Sequence, residues 1–141
     1  MKQPLTFIIL FYLLTLTSCI APKMAQTLNE VKKLEINEQQ FIGKSLKVLL
    51  KQVKPKIILA IGNPEGFEGL QSTYLIFYFV DKQTFITRDS KGDKPLRISV
   101  LLKKKSGKNY PPLLASKLWS KEQLRAYGEM KVLRIWVNGK D

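Results

Sequence analysis

The chain of 141 residues contains no histidine, and cysteine occurs once, at Cys19. That removes the usual general base and commonest metal ligand, and a single thiol forms no internal disulfide. Gly43-Lys44-Ser45 has the ending of a phosphate-binding loop, G-x-x-x-x-G-K-[ST], whose glycines let backbone amides wrap a phosphate. Such a loop needs glycine at position 38, where the chain carries Glu38, and a strand just upstream, where the sequence is polar. A tight turn into a helix, made by Gly43, is the expected reading. Glu65 with Glu68 would form a carboxylate pair, and Asp89 with Asp93 a calcium loop, yet both sit in turn-rich sequence. Asp89-Ser90-Lys91-Gly92-Asp93 lacks the alternating oxygen ligands and the closing Glu of a calcium site. Ser116 and Ser120 meet no lysine in the S-x-x-K spacing of a Ser-Lys hydrolase. No catalytic residues, no metal and no cofactor are expected, and the chain is read as a non-enzyme.

Cys19 carries chemistry of another kind. Met1 to Ser18 holds one charge, at Lys2, followed by an apolar run from Leu5 to Leu16 broken only by Thr6 and Thr15. That run is too short for a membrane-spanning helix, which needs about 20 residues. A basic start, a short apolar run and small residues at its end describe a secretory signal peptide. Leu16-Thr17-Ser18-Cys19 resembles the lipobox of bacterial lipoproteins. The resemblance implies diacylglycerol on the Cys19 thiol, cleavage before it, and an acyl chain such as palmitate on its amine. Two or three acyl chains would anchor the chain stably in a membrane. Ile20 is not the aspartate that commonly retains such proteins at the inner membrane of enteric bacteria, so an outer membrane location facing the periplasm is expected. The organisation predicted is a signal peptide over 1–18, a lipidated cysteine and spacer over 19–27, and one domain over 28–141.

The net charge is +13, of which the leader supplies only Lys2. A basic chain often signals nucleic acid, but outside the cytoplasm that is not the expected partner. Anionic lipid heads, acidic glycans or an acidic protein face remain.

The elements that would position any site follow from spacing. Thr27 and Glu30 have capping-box spacing, and Leu28, Val31 and Leu34 suggest a short helix. Leu46, Leu49, Leu50 and Val53 form one apolar stripe, predicting a helix near 45–53, stopped at Lys54-Pro55. Ile57–Ile61 reads as a strand, closed by the turn Gly62-Asn63-Pro64-Glu65-Gly66. Ser72–Val80 and Arg97–Leu102 read as strands, joined by a polar connection in which Thr84–Thr87 extends one of them. Ser120 and Gln123 form a capping box, with Trp119 and Leu124 placed as a hydrophobic staple. Gly128 is expected to end that helix in a left-handed cap. Lys131–Val137 is the last strand. The order α-β-β-β-α-β predicts an α+β fold, a small four-stranded, mostly antiparallel sheet with two helices packed on one face.

Phe41-Ile42-Gly43-Lys44-Ser45-Leu46, running into Leu49-Leu50, and Tyr74-Leu75-Ile76-Phe77-Tyr78-Phe79 resemble small uncharacterised envelope lipoproteins of Gram-negative bacteria. The likeness covers about two thirds of the chain and implies no activity.

Strand alternation sends Leu75, Phe77, Phe79, Ile98, Val100, Leu102, Leu133, Ile135 and Val137 into the core. The opposite face then presents Tyr74, Ile76, Tyr78, Arg97, Leu101, Lys103, Arg134 and Trp136. Aromatic rings interleaved with arginines suit glycan stacking or a protein hot spot. Alternatively, Leu28–Ile42 or Tyr110–Leu114 covers that face. Lys103-Lys104-Lys105 with Lys108 makes a basic turn, suited to guarding a sheet edge or to an electrostatic contact with an anionic surface. The expected function is that of a membrane-anchored adaptor or accessory subunit for another envelope protein. Its partner site would be Tyr74, Tyr78, Arg97, Lys103, Arg134 and Trp136. Direct binding of cell-wall glycan or anionic lipid through the same face is the alternative.

Overall fold

A computed structural model gives the fold and describes residues 22–62, 72–111, 113 and 118–141. The expected signal peptide over 1–18, Cys19, Glu65 with Glu68, and Ser116 lie outside the described residues. Four strands, β1 (Leu59–Gly62), β2 (Ser72–Tyr78), β3 (Arg97–Lys103) and β4 (Lys131–Asn138), form one sheet in the order β1-β2-β3-β4. Every neighbouring pair is antiparallel. The architecture is α+β, as the alternation of strand and helix periods predicts.

Among the described residues four α-helices accompany the sheet: α1 (Lys32–Ile36), α2 (Leu46–Leu50), α3 (Lys82–Ser90) and α4 (Lys121–Tyr127). A 3-10 turn at Leu28–Glu30 leads into α1, and the Glu30 carboxylate accepts the N–H groups of Gln26 and Thr27 at 2.9 and 3.2 Å. Gly43 has φ +76°, a left-handed conformation that glycine adopts without a Cβ penalty. It makes the turn into α2, whose Leu46 and Leu49 are buried. The capping box at α4 is present: Ser120 Oγ accepts the Gln123 N–H at 3.3 Å, and Gln123 Oε1 accepts the Ser120 N–H at 2.8 Å.

Three expectations are corrected. Thr84–Thr87 extends no strand, because it lies inside α3. There the Asp81 side chain accepts the Thr84 N–H at 2.8 Å, and an N-cap of that strength outweighs four residues of β-branched and aromatic propensity. Gly128 is not a left-handed cap, since its φ is −58°. Glycine is needed there because a Cβ would run into the Leu124 carbonyl oxygen. Leu133 does not point into the core. A bulge between Leu101 and Leu102 of β3 leaves it unpaired, with Leu101 opposite Arg134 and Leu102 opposite Val132. The extra residue resets the alternation, so Val132 is buried and Leu133 is 38% exposed.

One hydrophobic core runs from Ala25 to Val137 and joins Leu34, Phe41, Leu46 and Leu49 to Leu75, Phe77, Val100 and Ile135. The 28–42 segment therefore packs on the same side of the sheet as α2 and does not cover the other face. Both sheet edges are occupied. On the β4 side, Gly43 N donates to Val132 O and Val132 N to Lys44 O, each at 2.8 Å, while Glu38 accepts the Ile135 N–H at 3.2 Å. On the β1 side, Gly62 N donates to Leu113 O at 3.3 Å and Trp119 N to Ile58 O at 2.9 Å. Tyr110 and Leu113 thus lie toward the core and the β1 edge, with the Tyr110 ring stacked on Tyr127. The edge positions bonded in this way are closed to a second chain.

The bulge sets a direct test. Ile135→Ala is expected to cost about 2–5 kcal/mol as a buried large-to-small change. Leu133→Ala should stay within about 0.5 kcal/mol; urea unfolding measures both, and equal losses would mean that the two residues share one face. Tyr127 gives a second test, being fully buried with a hydroxyl that has no hydrogen-bond partner among the described residues. Burial pushes its pKa up from 10.0 to about 12. Above pH 10 the unfolded chain ionises this tyrosine while the folded chain resists, so its contribution to stability is lost as pH rises toward 12. Tyr127→Phe should be neutral, or more stable by about 1 kcal/mol, near neutral pH. It should also show a shallower alkaline loss than the wild type in melts taken across that range.

Candidate functional site

Register places the side chains of the second sheet face in rows. Leu59, Tyr78, Arg97 and Asn138 lie across one row, and Ile61, Ile76, Ser99 and Trp136 across the next. Tyr74, Leu101 and Arg134 form a third. Ser99 is the small residue between Ile76 and Trp136, and the rings of Tyr74 and Trp136 meet across β3 with centroids 5.6 Å apart. The Arg134 guanidinium lies 5.3 Å from the Trp136 ring centre, within the range of a cation–π contact. Tyr74 is 48% exposed, Arg134 and Lys103 are exposed, and Trp136 is half-buried. Two aromatic rings and a cation thus form one cluster that reaches from β2 across β3 to the edge strand β4.

The other end of the face is closed. Tyr78 is only 3% exposed, with its ring 4.9 Å from Phe85 of α3 in an edge-on contact. Arg97 sits beside it, its Nη1 3.5 Å from the Tyr78 hydroxyl and its Nε buried without a hydrogen-bond partner. Tyr78 therefore drops out of the expected partner site, because α3, read from the sequence as polar connection, stands over it. Of the six residues anticipated, the structure brings together Tyr74, Arg134 and Trp136. It leaves Lys103 at the strand end and separates off Tyr78 and Arg97.

A second feature lies on the helix side. α2, the segment after it and α4 enclose a groove of about 860 Å³. Its apolar lining includes Leu50, Ile57, Trp119 and Leu124, and Trp119 is braced edge-on against Phe77, 5.1 Å away. Lys47, Lys51, Lys54, Lys56, Lys121 and Arg125 line it as well, against one acid, Glu129. Lys47 pairs with Glu129 and holds that carboxyl below the usual range, chiefly by hydrogen bonding. The other five cations make no ion pair among the described residues. Spacing analysis missed this groove. Lysines at 44, 47, 51, 54 and 56 were visible as a run, but Trp119, Lys121 and Arg125 reach it only through the fold.

The remaining candidates resolve into structural roles. Gly43-Lys44-Ser45 is an edge-pairing turn, as the β4 contacts show. Arg88 holds Asp93 through Nε at 2.7 Å and Nη2 at 3.2 Å, which lowers the Asp93 pKa and raises that of Arg88. Ser120 is the α4 cap. In the basic turn, Lys108 donates to the Ala126 carbonyl at 3.1 Å near the end of α4 and lies 5.3 Å from the Tyr110 ring centre. Among the described residues no group of three or more acids or cysteines is placed to hold a metal ion, and no helix is long and apolar enough to cross a membrane.

No protein-family model matches the chain, and neither a curated protein nor a solved structure matches it.

The division of the sheet face into an open and a closed end can be measured by unfolding. Tyr78→Ala is expected to cost about 3–5 kcal/mol, as for a buried aromatic. Arg134→Ala should change stability by about 0.5 kcal/mol or less, as for an exposed surface residue.

Proposed function

We propose that the chain is an envelope lipoprotein, tethered through lipid on Cys19 to the periplasmic face of the outer membrane. In this reading it serves as a non-enzymatic accessory subunit for another envelope protein. The observation that carries the docking part is the cluster of exposed Tyr74 and Arg134 with half-buried Trp136, which spans β2 to the edge strand β4 on the sheet face away from α2 and α4. Aromatic residues and arginine dominate binding hot spots because they bury large areas while keeping a polar handle. A partner that fits would present an apolar pocket to the two rings and a carboxylate to Arg134. The lipobox at Leu16–Cys19 and the leader before it support the anchor.

The test uses a photo-crosslinking amino acid at position 74 in the full chain expressed in cells. A discrete crosslinked protein, lost on Arg134→Ala or Trp136→Ala and insensitive to modest salt, is the expected result. Crosslinks to no protein, together with salt-sensitive sedimentation with cell-wall sacculi, would replace the adaptor reading with glycan binding through the same face. Labelling with an alkynyl fatty acid reads the anchor separately: Cys19→Ser should abolish the label.

A further inference from the structure

The groove between α2 and α4 points to a second contact, with the membrane itself. We propose that it seats on anionic phospholipid headgroups of the bilayer to which the chain is tethered, with its cations on phosphate and its apolar lining against the glycerol and upper acyl region. Two independent observations carry this. The first is charge: six basic side chains surround an apolar floor that includes Trp119, with a single acid already paired to Lys47. A half-buried tryptophan ringed by lysine and arginine matches an interface that is apolar on one side and anionic on the other.

The second is where the chain enters the fold. Met24 N donates to Gln52 Oε1 at 3.2 Å. Ala25 pairs with the backbone beside the groove, its N–H donating to Gln52 O at 3.0 Å and its carbonyl accepting from Lys54 N at 2.9 Å. Lys51, Val53 and Lys54 on that same stretch line the groove. Cys19 precedes Met24 by five residues, which span no more than about 18 Å even when fully extended. A lipid on Cys19 therefore holds the groove close to the bilayer surface. α2 and α4 pack on one side of the sheet and the Tyr74–Trp136 cluster lies on the other, so a groove turned toward the membrane leaves the aromatic cluster facing away from it. This orientation rests on the anchor proposed above; the affinity of the groove for lipid does not.

A form spanning residues 20–141, without leader or Cys19, keeps every core residue described here, from Ala25 to Val137. The experiment is co-sedimentation of this form with vesicles of phosphatidylcholine alone or containing a minority of phosphatidylglycerol. Binding only to the anionic vesicles, weakening as salt rises, is expected. Lys54→Gln with Lys121→Gln should lower partitioning about 25-fold, at about fivefold per charge near an anionic surface. Lys91→Gln with Lys94→Gln, which removes the same charge outside the groove, should lower it far less. Equal losses from the two pairs would overturn the site, since overall charge would then account for binding. Absence of binding to anionic vesicles, or binding to an acidic peptide in their place, would overturn the lipid assignment. Because this form lacks Cys19, none of these outcomes depends on lipidation, which the fatty-acid labelling decides separately.

Discussion

Four backbone hydrogen bonds between residues 43–47 and 128–132 hold the two ends of the domain together. Gly43 donates to Val132, Val132 to Lys44, Leu46 to Met130 and Lys47 to Gly128, all at 2.8–2.9 Å. They close a separation of some eighty residues, whose chain entropy is repaid only by the core that forms behind them. Because of them α2 begins where α4 ends, and the lysines that follow α2 come to face Lys121 and Arg125. The same bonds cover the start of β4, leaving the bulge at Leu133 as the irregularity that sets which side chains of that strand turn outward. Leu46, Leu49, Tyr127 and Met130 are buried directly behind the seam, so apolar packing and backbone pairing act on one locus.

Two surfaces result, one on each side of the sheet, and they differ in physical character. The aromatic cluster is a small, rigid group of rings with one guanidinium, suited to a partner of fixed shape. The groove is broad and strongly cationic, and its long lysine side chains suit a fluid, anionic surface better than a precise one. Packing separates the two roles: α3 closes one end of the sheet face over Tyr78, while α2 and α4 take the other side. The chain enters the fold beside Gln52, on the side of the second surface. A domain held by lipid near that point, as proposed, and by charge around it would present the first surface outward.

The legible part of the fold was the part governed by local rules. The Ser120–Gln123 capping box, the apolar stripe of Leu46, Leu49 and Leu50, and the strands near 72–80, 97–102 and 131–137 follow from hydrogen-bond offsets and from periods of 3.6 and 2. Those same rules failed where a single residue changed the count or a single cap changed the outcome. A bulge at Leu133 carries no mark in its own sequence, since Val132 and Leu133 are equally apolar. α3 was concealed because Thr84-Phe85-Ile86-Thr87 has strand composition, and Asp81, which caps it, reads equally well as a turn residue.

The sequence by itself determined the four strands, the stripe of α2 and the cap of α4, the α+β class, the lack of histidine chemistry, and an apolar run that ends shortly before a lone cysteine. Only the tertiary structure decided which rings are open and which are covered, because Tyr74 and Tyr78 share a strand face and differ solely in whether α3 stands over them. It also decided that Trp119, Lys121 and Arg125 join a lysine run some seventy residues away in one groove. The physical reason is common to both: exposure and the grouping of charges depend on which surfaces pack together over long sequence separations, and no local period records that.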